Sequence, residues 1–308
     1  MQTTSTPWQK RIGHQRELIW RGWQIRYSYL KAPSNNCRSK TPLILIHGFG
    51  ASIEHWRNNI PILGKEHSVY ALDLLGFGAS RKARTNYTVD LWVEQLHDFW
   101  QTIIGRPVVL VGNSIGSLVC MSAAAKYPEM VRGLVMLSLP DVSIRQEMIP
   151  KPLRSIVTTL ENLVASPFLI KTLLKILRQP KTIARWAKVA YEDETAINPE
   201  LVQILANPAY DEGADRTLYN LSQGVRKAGF APSAKETLPQ LKIPMLLIWG
   251  QLDRMVPAKL AGSFAGLNPQ IELIELPKIG HCPHDENPSQ FNRLLLDWLQ
   301  KKFDSELL

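Results

Sequence analysis

The chain has 308 residues, 45% of them hydrophobic, and carries 36 Lys and Arg against 27 Asp and Glu, a net charge of +9. That length and apolar content can bury one large core or two joined ones, while the lack of any run of 18 apolar residues argues against a membrane-spanning helix. Met1 to Gly22 has no apolar signal-peptide centre, and Cys37, Cys120 and Cys282 have no metal-type spacing, so three reduced thiols in a cytosolic-type compartment are expected.

In chain order, Glu17 to Leu30 alternates and predicts an opening antiparallel hairpin that turns near Arg21-Gly22. Leu43-Ile44-Leu45-Ile46 is a short buried strand running into a glycine loop, His47-Gly48-Phe49-Gly50. Val69 to Leu72 is the next strand, followed by Asp73 and Leu75-Gly76-Phe77-Gly78. Thr88 to Ile104 has the period of a long amphipathic helix. Val108 to Val111 is another buried strand, Leu118 to Lys126 a small-residue helix, and Leu134 to Leu137 a sixth strand. Strands and helices alternating in this way predict an α/β fold with a mostly parallel, twisted sheet covered by helices.

After Pro140 the rhythm changes. From Met148 to about Leu238 the pattern is helical and interrupted by prolines, and strands return only at Met245 to Trp249 and Ile271 to Leu276. The last helix spans about Ser289 to Lys302, with Leu294, Leu295 and Trp298 on its apolar stripe. The expected division is a core of residues 1–140 and 239–308 with a helical cap, residues 141–238, inserted after the sixth strand. Such a cap would cover the carboxyl edge of the sheet, where open α/β sheets bind ligands.

The excess positive charge lies in that cap. Between Pro150 and Ala190 stand Lys151, Arg154, Lys171, Lys175, Arg178, Lys181, Arg185 and Lys188, against Glu161 alone. No nucleic-acid motif accompanies them, so an anionic lipid surface is the expected partner and nucleic acid is not. Ile170, Leu173, Leu174 and Leu177 form an apolar helical face beside Lys171, Lys175 and Arg178, and Leu153, Ile156, Val157, Leu160 and Val164 form a similar stripe before it. Ile170, Lys171, Leu174, Lys175 and Arg178 are the candidates for membrane contact or substrate entry; a cap helix packed on its own core is the alternative.

The chemistry is signalled by Gly112-Asn113-Ser114-Ile115-Gly116, directly after the strand Val108 to Val111. Gly-x-Ser-x-Gly between a strand and a helix is a nucleophile elbow, which lifts a serine hydroxyl out of the backbone. A serine needs an imidazole to take its proton and a carboxylate to orient the imidazole. Asp253, after Met245 to Trp249, and His281, after Ile271 to Leu276, follow in the required order. Asp141 is a rival acid and His284 a rival base. Backbone N–H groups of Phe49 and Ile115 are candidates for the oxyanion hole. His47 is expected to shape its loop, and His14, His55, His67 and His97 to be structural or solvated. With no Gly-x-Gly-x-x-Gly unit and no His/Glu metal box, hydrolysis without metal or other cofactor is the expectation.

On these residues the chain resembles the α/β-hydrolase superfamily over about residues 17–302. His47 to Ser52 with His55-Trp56-Arg57, Asp73 to Ser80, Gly112 to Ser117 and Gly280 to Asp285 are similar to the pheophytinase and chlorophyll dephytylase group of photosynthetic organisms. So is the cap stretch Asn207 to Ala214. The resemblance implies a carboxylic-ester hydrolase with Ser114 as nucleophile, Asp253 as orienting acid and His281 as base, removing phytol from chlorophyll or pheophytin. It also implies a cyanobacterium-like source, because the chain has no plastid transit extension, and a place at the cytoplasmic side of a thylakoid-type membrane, soluble or peripherally bound. A general esterase or lipase-like hydrolase, a carbon–carbon hydrolase of ring-fission dienones, and a slow-turnover receptor on the same fold remain the alternatives.

Overall fold

The computed structural model describes residues 7–33, 40–141, 167–227 and 229–304. Eight strands form one sheet: β1 His14–Trp20, β2 Trp23–Leu30, β3 Leu43–Ile46, β4 Val69–Leu72, β5 Val108–Asn113, β6 Val131–Leu137, β7 Met245–Gly250 and β8 Ile271–Leu276. Their spatial order is β1-β2-β4-β3-β5-β6-β7-β8. β3 to β8 run parallel, β2 is antiparallel to β4, and β1 to β2. The opening hairpin turns at Arg21 and Gly22, with φ of 50° and 82°. Two successive positive φ values match the right-handed twist of the flanking strands.

The longer helices are α1 Val89–Ile103, α2 Ile115–Lys126, α3 Pro167–Leu177, α4 Pro180–Ala190, α5 Pro199–Ala206, α6 Ala214–Gly224, α7 Lys259–Ala265 and α8 Pro288–Leu299. α1 starts where the sequence predicts, because the Thr88 side chain accepts a hydrogen bond from the Leu91 N–H at 3.1 Å. Such a cap contributes about 1 kcal/mol. α2 starts three residues earlier than its small-residue run, at the residue after Ser114.

Parallel strands buried on both faces need helices on both sides. On one face Ile44, Ile46, Leu110, Leu134, Met136, Leu247 and Trp249 pack with Trp92 and Phe99 of α1 and Leu118 of α2. On the other, Leu43, Leu45, Val109, Val111, Val135, Leu246 and Ile248 pack with Phe291, Leu295 and Trp298 of α8. Alternate residues of each strand thus serve opposite cores. Truncating one, Leu110 or Leu246, to alanine removes about 2–5 kcal/mol.

Between β6 and β7 every described element is helical, α3 to α6 and shorter turns. The stripe from Leu153 to Val164, Lys151, Arg154 and Cys37 lie outside the described residues. Cys120 and Cys282 are both free and buried, and burial holds both thiols protonated by raising their pKa. No helix among the described residues is long and apolar enough to cross a membrane.

Candidate active site

The carboxyl ends of β3, β5, β7 and β8 lie along one edge of the sheet, and the residues just beyond them form the site. β5 ends at Asn113, and Ser114 follows at φ 54°, ψ −119°. This conformation is costly for any residue with a Cβ, by about 1–3 kcal/mol. Ser114 is held there by its own N–H, bonded to the Leu137 carbonyl of β6 at 2.9 Å. Ser117, one helical turn on, donates to the Gly112 carbonyl at 2.7 Å and accepts from the Leu137 N–H at 3.0 Å. Gly116 has no room for a side chain, because a Cβ there would strike the carbonyls of Ile46 and His47. The elbow is therefore wedged between β3 and β6, and its strain is imposed by both neighbours.

Asp253 and His281 come together. His281 Nδ1 lies 2.8 Å from Asp253 Oδ2, and both side chains are buried. The second carboxylate oxygen, Oδ1, accepts from the Met255 and Val256 N–H groups at 2.8 and 2.9 Å. Burial alone would raise the Asp253 pKa, but the hydrogen bonds from His281 and those two amides outweigh it and hold the carboxyl below its ordinary value. An ionised Asp253 accepting from Nδ1–H leaves His281 Nε2 as the basic nitrogen. The elbow and the histidine loop are also tied directly, through Asn113 Nδ2 donating to the His281 carbonyl at 3.2 Å.

The glycine loop after β3 closes the other side. A Cβ on Gly48 would sit 3.5 Å from the Ser114 Cβ, so its backbone passes against the serine. Phe49 follows, with its ring half exposed and edge-on to Phe77. Ile115 opens α2, and the first N–H groups of a helix have no partner within it. His47 bonds the Gly48 carbonyl through Nδ1 at 2.7 Å and accepts the Leu74 N–H on Nε2 at 3.1 Å, which pins the loop.

The rival residues have other partners. Asp141 accepts from the Lys235 N–H at 3.4 Å, at the start of the short helix Ala234–Thr237. His284 is fully buried, with its ring against Trp56 and its Nε2 3.3 Å from His55 Nδ1.

Sequence reasoning missed the buried polar chain behind the site. His55 Nε2 is 2.6 Å from the Tyr191 hydroxyl, which donates to Asp285 Oδ2 at 2.7 Å. Asp285 Oδ1 accepts from Arg57 at 2.7 Å, and Arg57 also reaches Glu200 at 2.6 Å. Burial pushes the His55 pKa down to about 4 and that of His284 well down. Both are therefore neutral near pH 7, and one proton order satisfies the chain. His284 Nε2–H donates to His55 Nδ1, His55 Nε2–H to Tyr191, and Tyr191 to the Asp285 carboxylate. The unpartnered His284 Nδ1 agrees with this order.

The candidate entry residues divide. Ile170 is buried and Leu174 half-buried, so they face the protein interior and not a membrane; Lys171 and Lys175 are exposed, and Arg178 stacks over Tyr210 at 4.5 Å. The turn of α3 buries one apolar stripe and leaves Leu173 and Ile176 outside.

A strained serine at a strand-to-helix elbow and an Asp-His pair, both at the carboxyl edge of a β1-β2-β4-β3-β5-β6-β7-β8 sheet, define a hydrolase-fold protein. The chain belongs to the alpha/beta hydrolase fold family, which matches residues 41–288. Among its relatives, 2-hydroxy-6-oxo-6-(2'-aminophenyl)hexa-2,4-dienoic acid hydrolase of Metapseudomonas resinovorans is 28% identical, covering 85% of each chain. Chloroplastic pheophytinase of Arabidopsis thaliana is 24% identical over 90% of this chain, which spans 64% of that protein. The crystal structure of a serine hydrolase involved in carbazole degradation (CarC) superimposes with a TM-score of 0.75 at 24% identity, covering 93% of this chain and 98% of that one.

Proposed function

We propose that the protein is a serine hydrolase that cleaves the carboxylic ester of a bulky lipophilic substrate, with phytylated chlorophyll or pheophytin as the first candidate. The observation that carries the reaction type is the His281–Asp253 pair at 2.8 Å on the same sheet edge as the strained Ser114. Ser114 Oγ bonds to the ester carbonyl carbon while His281 Nε2 takes its proton. The Phe49 and Ile115 N–H groups receive the oxyanion. The intermediate collapses, the alcohol leaves with the proton from His281, and an acyl-enzyme remains. Water then gives its proton to His281 and attacks the acyl carbon, and collapse releases the acid and restores Ser114.

Two observations support the substrate class. The motifs around Ser114, His281 and Asn207 to Ala214 are similar to those of the pheophytinase group, and Arabidopsis pheophytinase is a relative at 24% identity. Carbon–carbon hydrolysis of a dienoic acid is the second reading, favoured by the 28% identical Metapseudomonas enzyme. The same serine, base and oxyanion donors would serve either reaction, because both pass through an oxyanion at a carbonyl carbon.

Purified protein and Ser114→Ala, incubated with pheophytin a, chlorophyll a, a short aryl ester and a ring-fission dienoic acid, separate these readings by chromatography of the products. Serine-dependent loss of phytol is expected. Cleavage of the aryl ester alone reduces the assignment to a general esterase, and cleavage of the dienoic acid with all esters left intact overturns it.

A further inference from the structure

We infer that α3 and α4 form a docking surface for an anionic lipid bilayer. An amphipathic helix on a globular protein normally turns its apolar stripe inward and presents polar residues to water. These two helices turn one apolar set inward, with Ile170 and Ala187 buried, and keep a second set outside. Leu173 and Ile176 on α3 are 44% and 57% exposed, and Trp186 and Val189 on α4 are 62% and 39% exposed. Each outer pair is spaced i, i+3, so it lies along one side of its helix.

The charge between these positions identifies the occupant. From Pro167 to Ala190 the sequence has six basic residues and no acid. Lys171, Lys175, Lys181 and Arg185 are all exposed. A protein partner would meet this density only with a matching acidic face, whereas leucine, isoleucine and tryptophan alternating with lysine and arginine suit an interface of acyl chains below anionic headgroups. Tryptophan in particular combines a large apolar ring with an N–H that remains in the headgroup layer.

The surface adjoins the catalytic edge. The carboxyl end of α4, at Ala190, accepts the His281 N–H at 2.6 Å. Arg254, next to Asp253, donates to the Lys188 carbonyl at 3.0 Å and pairs with Glu192. Beside it Leu252 and Met255 present further exposed apolar side chains. A lipophilic substrate could thus pass from the bilayer to the sheet edge along an apolar rim. The docking itself is independent of the ester assignment.

The test uses the full-length protein carrying Ser114→Ala, so that turnover plays no part, with vesicles of phosphatidylcholine alone or with 30% phosphatidylglycerol. Co-sedimentation with the anionic vesicles is expected, with a blue shift of tryptophan emission that Trp186→Phe lacks. Neutralising Lys175 and Arg185 together (K175Q/R185Q) lowers affinity about 25-fold, from about fivefold for each cation near the surface. The same charge loss on the core, Lys31→Gln with Lys65→Gln, leaves it within about threefold. Thermal melts of all variants confirm that they are folded. No binding to anionic vesicles, equal loss for the two pairs, or Trp186 emission that stays unshifted on sedimented vesicles each overturns the proposal.

Discussion

Tyr191→Phe removes one hydroxyl and keeps the ring, and that atom joins the carboxyl end of α4 to the histidine loop. It accepts from His55 at 2.6 Å and donates to Asp285 at 2.7 Å, with the whole side chain buried. Burial and the Asp285 charge keep the phenol protonated by raising its pKa well above the ordinary value, so it is the donor toward the carboxylate. The substitution leaves His55 Nε2–H without an acceptor and takes one donor from Asp285, which retains Arg57. A buried hydrogen bond to a charged group contributes about 1.5–3 kcal/mol and a neutral one about 0.5–1.5 kcal/mol, so the combined loss is about 3 kcal/mol. For a chain of 308 residues, with an unfolding entropy of about 2.1 cal/mol/K per residue, this lowers Tm by about 5 °C. Because the neighbouring Ala190 carbonyl holds the His281 N–H, kcat on a soluble ester is also expected to fall about tenfold, with KM changed less than about threefold. Calorimetry and steady-state kinetics measure both. A variant that melts within about 1 °C of the parent and turns over at the parental rate would refute the reasoning.

Two further outcomes follow from the same geometry. Ser114→Ala and Ser114→Gly should both abolish turnover, yet glycine should be the more stable by about 1 kcal/mol: relief of about 1–3 kcal/mol of strain at φ 54° outweighs its entropy cost of about 0.5–1 kcal/mol. Denaturant midpoints decide this, and an alanine variant more stable than the glycine one contradicts the strain. Acid should destabilise the fold, because His55, at about 4 folded against 6.5 as its ordinary value, is buried neutral. The unfolded chain binds the extra proton, so this contribution is complete above about pH 6.5 and is lost as the pH falls to 4. His55 alone then removes about 2 kcal/mol between pH 7 and 5, with His284 and His47 shifted in the same direction. Urea unfolding that is flat between pH 7 and 5 would contradict it.

What was legible in the sequence was local or fixed by chain order. The hairpin, the α1 helix and the elbow each depend on residues a few positions apart, and Asp253 and His281, which the structure pairs at 2.8 Å, were legible because each follows a strand ending at the same sheet edge. The Tyr191 chain had no such signal. Its members are 136 and 94 residues apart, and single tyrosines and histidines carry no period. Which side of α3 faces outward was not legible for a related reason. Ile170, Leu173, Leu174 and Leu177 share one stripe by periodicity, and only the elements packed against α3 decide that Ile170 turns inward while Leu173 does not. Hydrophobic spacing identifies an amphipathic helix but not how much of its stripe is covered.

The helical segment between β6 and β7 and the loop that carries His281 are fastened at one place, and this limits how the proposed site can open. The Ala190 carbonyl accepts from His281, and the Glu286 carboxylate accepts from the N–H groups of Glu192 and Asp193 at 3.0 and 2.9 Å and of Gly280 at 2.9 Å. A Cβ on Gly280 would strike the Ala190 carbonyl, so only glycine allows the two segments to approach. With the Tyr191 bond to Asp285, four hydrogen bonds cross from residues 190–193 to the histidine loop. Three of them end on carboxylates, and breaking all four together would cost roughly 5 kcal/mol or more. An opening that lifted this segment would also release the loop that orients His281 and disarm the pair it makes with Asp253. Substrate entry that preserves the proposed Ser114, Asp253 and His281 arrangement must therefore leave residues 190–193 in place and move chain further from the sheet edge, with the carboxyl end of α4 as the fixed point.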